Sequence, residues 1–171
     1  MPTNIEIKAR VDSIERLLPI VLALGGSEPV HSRQDDTFFE CPNGRLKLRI
    51  TGDGDGVLIF YRRPDELGPK SSYYTHSATS DPDGLRLVLT DAHGELGRVR
   101  KHRAMVQVGD ARIHLDSVDG LGDFVELEVA VGERLGPEEA TDQARELMEA
   151  LGIDSQNLAK GAYLDLIMAK L

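Results

Sequence analysis

Several short segments of this chain sort charge by face, and the residue types on those faces suit one kind of chemistry. Residues 45–50 put Arg45, Lys47 and Arg49 on one side and Leu46, Leu48 and Ile50 on the other. Residues 124–129 set Glu126 and Glu128 against Val125, Leu127 and Val129, and residues 113–116 set His114 and Asp116 against Ile113 and Leu115. Near the start, Asn4, Glu6 and Lys8 alternate with Ile5 and Ile7, Lys101 and Arg103 share a face, and Arg62 follows the run Val57-Leu58-Ile59-Phe60-Tyr61. Lysine and arginine donate to phosphate oxygens, arginine bidentately. Lys8, Lys47, Arg49, Arg62, Lys101 and Arg103 therefore form a candidate set for gripping a polyphosphate. Carboxylates are hard oxygen ligands for Mg²⁺ or Mn²⁺, which makes Glu6, Asp116, Glu126 and Glu128 the candidate metal ligands. Together such groups neutralise the charge that moves during phosphoryl or nucleotidyl transfer.

Positioning these side chains requires strands, because only a period of two separates the faces this way. Residues 4–10 read as a first strand, and Asp12 or Ser13 caps a helix carrying Ile14, Leu17, Leu18, Val21 and Leu22 that stops at Gly25-Gly26 and is bent or weakened by Pro19. Strand segments follow at 35–40, 45–51, 57–63, 71–78, 85–90, 97–108, 111–117 and 123–131, separated by Gly-, Pro- and Asp-rich turns. A helix starting near Pro137 and ending at Gly152, and another from Ser155 to the end, complete the pattern. The order reads as α+β, dominated by an antiparallel sheet or barrel. If the sheet closes with its apolar faces outward under the helices, the charged faces line the lumen, where opposed acids and bases satisfy one another. The same alternation also fits a one-sided sheet with a solvated outer face, and periodicity leaves both open.

The 171 residues fit a single domain spanning 1–171, with no repeat or linker. A net charge of -9 disfavours general affinity for nucleic acid or anionic membrane, without excluding a local basic pocket. The single cysteine, Cys41, rules out an intrachain disulfide and a thiolate metal cluster. No segment approaches the roughly 20 apolar residues of a membrane span, and the first residues lack the apolar run of a signal peptide. A reducing, cytoplasmic location is expected.

The first strand, Asn4-Ile5-Glu6-Ile7-Lys8, resembles the E-x-E-x-K signature of the CYTH, or triphosphate tunnel, superfamily, with Asn4 replacing its first Glu. Gln34 to Phe39, Arg45 to Ile50, Leu58 to Pro64, Lys101-His102-Arg103, His114-Leu115-Asp116 and Leu121 to Glu128 resemble further family segments in the expected order. Asp35 to Phe39, Arg62 to Asp65 and Gly120 to Glu126 look most like the class IV adenylyl cyclase branch. The resemblance implies a closed antiparallel eight-stranded β-barrel with a charged lumen and helices packed outside. It implies Glu6, Asp116, Glu126 and Glu128 as metal ligands and Lys8, Lys47, Arg49, Arg62, Lys101 and Arg103 as the triphosphate grip, with Lys70 added from a loop. Glu6, Lys8, Arg62 and Lys101 are the expected catalytic set. Mg²⁺ or Mn²⁺ is the implied cofactor, ATP or inorganic triphosphate the implied small-molecule partner, and a homodimer the implied assembly.

Three readings follow from the resemblance. One is a cyclase, converting ATP to cyclic AMP and pyrophosphate. Another is a triphosphatase acting on inorganic triphosphate or an organic one such as thiamine triphosphate. The third is a non-catalytic binding module, suggested by Asn4, whose amide ligates Mg²⁺ without contributing charge. Among the remaining residues, Cys41 sits at a turn with nothing to activate it, and His31, His76, His93 and His102 lack ligand spacing. His114 either orients Asp116 or packs, Tyr163 either closes the tunnel or serves as helix core, and Asp53-Gly54-Asp55-Gly56 is a hairpin turn rather than a Ca²⁺ loop.

Overall fold

The structure, a computed structural model, describes residues 3–171. Eight strands, β1 (Thr3–Arg10), β2 (Val30–Phe39), β3 (Arg45–Thr51), β4 (Gly56–Arg62), β5 (Lys70–Thr79), β6 (Glu95–Val108), β7 (Ala111–Val118) and β8 (Gly122–Val131), close into a barrel in the order β1-β5-β4-β3-β2-β6-β7-β8. Every neighbouring pair is antiparallel. Four helices accompany it: α1 (Ile14–Ala23), α2 (Pro82–His93), α3 (Pro137–Ala150) and α4 (Tyr163–Met168). None is long and apolar enough to cross a membrane.

The alternation sets the two sides of the wall. Ile5, Ile7, Ala9, Ile113, Leu115, Val125, Leu127 and Val129 point outward and are buried under α1 and α3, against Leu17, Val21, Ala140, Ala144 and Leu147. Hydrophobic burial thus lies between barrel and helices, and the intervening polar residues are left facing the lumen. α1 begins at Ser13, whose hydroxyl accepts from the Arg16 amide, and it runs unbroken through the exposed Pro19.

Two expected elements differ. Residues 85–90, read as a strand, lie inside α2. Asp81 caps that helix by accepting from the Gly84 amide, with Pro82 in the first turn, and Leu85 and Leu89, four residues apart, pack on Phe39 and Leu48. A cap followed by proline outweighs a short run of alternating leucines. The final helix is also shorter than expected. A 3-10 turn at Ser155–Asn157 leads to an extended stretch in which Leu158 bridges Ala9 and the Ala159 amide donates to the Lys8 carbonyl, and only then does α4 begin. α4 approaches the barrel closely at Gly97, where a Cβ would lie 2.8 Å from the Leu164 side chain.

Candidate functional site

The lumen is a cavity of about 310 Å³ reached by side chains from all eight strands. β1 contributes Asn4, Glu6 and Lys8, β3 contributes Lys47 and Arg49, β6 contributes Lys101 and Arg103, and β8 contributes Glu126 and Glu128. Register brings these into specific pairs: Glu6 lies opposite Glu128 and Lys8 opposite Glu126 across β1–β8, while Arg103 lies opposite Asp116 and Asp36 opposite Arg49.

Three charge clusters result. In the first, Asp36 is 1% exposed and is held by Arg49 through two hydrogen bonds of 2.8 Å and by Lys47 at 3.0 Å, with Lys101 at 4.0 Å. Burial alone would raise its pKa, but these cations hold the carboxyl well below the usual range. In the second, Arg103 grips Asp116 bidentately at 2.6 Å, and the Tyr163 hydroxyl donates to the same carboxylate at 2.8 Å. In the third, Glu6 accepts from Arg63 at 2.8 Å, Lys8 lies 3.4 Å from Glu126, and Glu128 lies 3.3 Å from Arg112 and 3.2 Å from His114. Burial raises the pKa of Glu6, and the neighbouring Glu128 and Glu126 push it further, against the pull of Arg63. Burial lowers Lys8 to about 8, with Glu126 opposing, and lowers Lys101 well below its ordinary value, helped by Arg103 and Arg49.

Among the described residues lining the cavity, seven carry a cationic side chain and four a carboxylate, an excess of positive charge inside a chain whose net charge is -9. Such a lumen suits a small, densely charged anion. Glu6, Glu126 and Glu128 are hard donors, with burial, Glu128 and Glu126 pushing up the pKa of Glu6 while Lys8 and Arg103, against burial, hold Glu126 well below the usual range. Asn4, 4% exposed on the same face of β1, adds an amide oxygen. This donor set fits Mg²⁺ or Mn²⁺ in kind. As the side chains stand, each carboxylate engages an internal cation, and among the described residues no three His, Cys, Asp or Glu are drawn together as a ligand group.

One end of the lumen is closed by an apolar layer of Phe38, Val99 and Phe124 with Ala162 and Tyr163 from the C-terminal segment. The Gly161 carbonyl accepts from Lys8 at 3.0 Å and from Arg63 at 2.7 Å, and the Tyr163 ring sits under Lys8 and Lys101 at 4.1 and 4.9 Å from its centroid. Tyr163 takes both of the roles open to it, lining the cavity and belonging to the buried apolar cluster with Phe124 and Leu164.

Of the expected site residues, Glu6, Lys8, Lys47, Arg49, Lys101, Arg103, Glu126 and Glu128 converge on the cavity. Lys70 is 4% exposed, opposite Glu6 in register, and donates to the Glu66 carbonyl. Asp116 is fully buried with both oxygens engaged by Arg103, behind the cavity rather than facing it. Arg62 is corrected outright: it is exposed and lies over Phe60 and Tyr73 outside the barrel, while Arg63 takes the lumen position. The five apolar or aromatic residues before Arg62 show no alternation, so the face could not be read from them. Arg112 and Asp36 were also missed, although Asp36 shares the parity of Phe38 and sits in the acidic segment noted above.

A model of the CYTH domain matches residues 2–163. The chain belongs to the CYTH family. Over 168 residues it is 22% identical to the adenylate cyclase CyaB of Aeromonas hydrophila, covering 94% of this chain and 86% of that one. The PH1012 protein of Pyrococcus horikoshii superposes with a TM-score of 0.83 at 23% identity, covering 95% of this CYTH chain and 98% of its own. HpAC1 from Hippeastrum, whose structural description reports a dominant triphosphatase activity, gives a TM-score of 0.69 at 18% identity and coverages of 99% and 96%.

Proposed function

We propose that this CYTH barrel is an enzyme that binds a triphosphate in its lumen with a divalent cation, and that its reaction is of the class IV adenylyl cyclase type. The observation that carries the reading is the excess of buried cations converging on one closed cavity beside crowded carboxylates. Arg49, Lys47, Lys101, Arg103, Arg63 and Lys8 are the groups that hold the phosphates, exchanging their internal carboxylate partners for phosphate oxygens. Glu6, Glu126 and Glu128 are the residues that would hold a divalent cation, which when bound would supply Lewis acidity and charge neutralisation. In the cyclase reaction the ribose 3′-oxygen bonds to the α-phosphorus, the bond to the β-phosphate oxygen breaks, pyrophosphate leaves, and the hydroxyl proton is released to solvent. The lumen cations oppose the charge that builds on the departing pyrophosphate. The name of CyaB supports this reading.

A second reading, a triphosphatase, is favoured by Asn4, which leaves the signature strand one carboxylate short, and by the activity described for HpAC1. Chromatography of products from ATP and from inorganic triphosphate, each with Mg²⁺ and with Mn²⁺, tests both. Cyclic AMP with pyrophosphate is the expected outcome, and orthophosphate from inorganic triphosphate without cyclic AMP selects the second reading. No turnover of either substrate rejects the cyclase and points to another organic triphosphate or to a non-catalytic binding module.

A further inference from the structure

The lumen is not charged all round. On the β4–β5 wall, Ile59, Tyr61, Tyr74 and His76 line the cavity, with Ile59 opposite His76 and Tyr61 opposite Tyr74 in register. None is a lysine, arginine or acid, and the Tyr74 and His76 rings lie nearly parallel, 16° apart in plane with centroids 6.2 Å apart. Tyr74 is half-buried against the apolar layer and His76 is exposed. An inorganic triphosphate gains little from such a wall, because Ile59 offers no donor and the tyrosines and histidine offer uncharged donors only at the ring edge while their ring faces are apolar. A planar ring carried on the triphosphate gains more, since a ring stacks on any aromatic face irrespective of its own substituents.

We propose that Tyr74 and His76 are specificity-determining residues, a stacking platform for the organic end of the substrate that makes the lumen prefer a ring-bearing triphosphate over an inorganic one. The inference rests on the triphosphate-binding reading above and adds the residues that select among triphosphates. The cations hold the phosphates, and the platform distinguishes a nucleoside or similar triphosphate from the inorganic one. Neither residue takes part in the charge clusters, so the two functions are separable by substitution.

The test is calorimetric titration, with Mg²⁺ present, of wild-type protein, Tyr74→Leu, His76→Ala and the double variant with ATP, thiamine triphosphate and inorganic triphosphate. Tyr74→Leu keeps apolar bulk against the end layer while removing the ring, and thermal unfolding checks that each variant folds. Each single change is expected to weaken a ring-bearing triphosphate by about 10-fold, the usual size of one stacking contact, and inorganic triphosphate by less than about twofold. The ring-bearing ligand that shows the loss, ATP or thiamine triphosphate, identifies the source of the ring. Equal losses on ring-bearing and inorganic ligands, or no loss on either, overturn the platform while leaving triphosphate binding intact. Wild-type protein that binds none of the three overturns the proposed function, and this inference with it.

Discussion

Two carboxylate sites in one lumen are built in opposite ways. At Asp116 every oxygen is spoken for: Arg103 takes both, Tyr163 adds a third donor, and the pKa falls below its ordinary value because Arg103 outweighs the cost of burial. At Glu6 the balance runs the other way. One arginine faces it, while burial, Glu128 and Glu126 together raise its pKa. A saturated pair holds the barrel together, whereas at Glu6 burial and the neighbouring carboxylates disfavour the ionised form, which a bound cation would favour. The contrast separates side chains that shape the site from those available to bind in it.

The largest effect on stability is expected from Asp116→Ala, which strands Arg103 without its bidentate partner in a buried position. Breaking one side of such a pair typically costs about 3–5 kcal/mol, to be read from urea denaturation. Glu6→Gln is expected to do the reverse. A carboxyl whose folded pKa is raised loses stability as pH climbs from its unfolded value through the folded one, so its ionised form costs stability at neutral pH. Replacing it should leave stability unchanged or slightly higher while removing Mn²⁺ binding and metal-dependent turnover. If Glu6→Gln unfolds as readily as Asp116→Ala, the two sites are not different in kind.

Next in size is the pair Arg63→Ala and Arg62→Ala. Arg63 reaches into the lumen between Glu6 and the Gly161 carbonyl, so its loss should weaken triphosphate binding by about 10-fold or more, in line with a hydrogen bond to a charged group. Arg62, outside the barrel on Phe60 and Tyr73, should change affinity by less than about twofold, as surface substitutions usually do. Equal losses would return Arg62 to the site.

That pair also marks where the sequence stops being legible. Strands β1, β3 and β8 alternate cleanly, so the parity of their charged residues was legible in the sequence. On β7, by contrast, Arg112 was missed and Asp116 lies behind the cavity, and closure into a barrel was legible only through the CYTH resemblance. β4 is apolar on both faces because its outward residues meet α2 and its inward ones form the uncharged wall, so parity could not tell Arg62 from Arg63. Residues 85–90 failed for another reason. Five residues alternating around leucine fit a strand, and only the Asp81-Pro82 cap tells the helix apart. Tyr163 was singled out as a candidate to close the tunnel, but its partners were not legible, because Lys8, Arg63 and Asp116, which Gly161 and Tyr163 engage, are distant in sequence.

A smaller, graded effect is expected from pH. Lys8 has its pKa lowered to about 8, chiefly by burial. Binding an anion beside it favours the protonated form, so triphosphate affinity should fall as pH rises through 8, by at most about tenfold per pH unit for one linked proton. Lys8→Arg keeps its charge at high pH and should flatten that fall, measured by calorimetry from pH 7 to 9.5. A profile that is flat in the wild type would mean that Lys8 stays charged throughout and that its burial is offset more fully than Glu126 alone provides.

Asn4→Glu makes the sharpest comparison. Asn4 is buried on the same face of β1 as Glu6, so a glutamate there adds a carboxylate to a group that already repels itself. Without metal this should lower the melting temperature, because the new charge is desolvated and faces Glu6 with no cation of its own. With Mn²⁺ the added charge becomes a ligand, and affinity should rise by about tenfold, as a charged oxygen replaces a neutral one. The same substitution is therefore expected to destabilise the free protein and stabilise the metal-bound one, so the shift in melting temperature on adding Mn²⁺ should be larger than in the wild type. An equal shift in both proteins would place Asn4 outside the metal's reach and confine the cation to Glu6, Glu126 and Glu128.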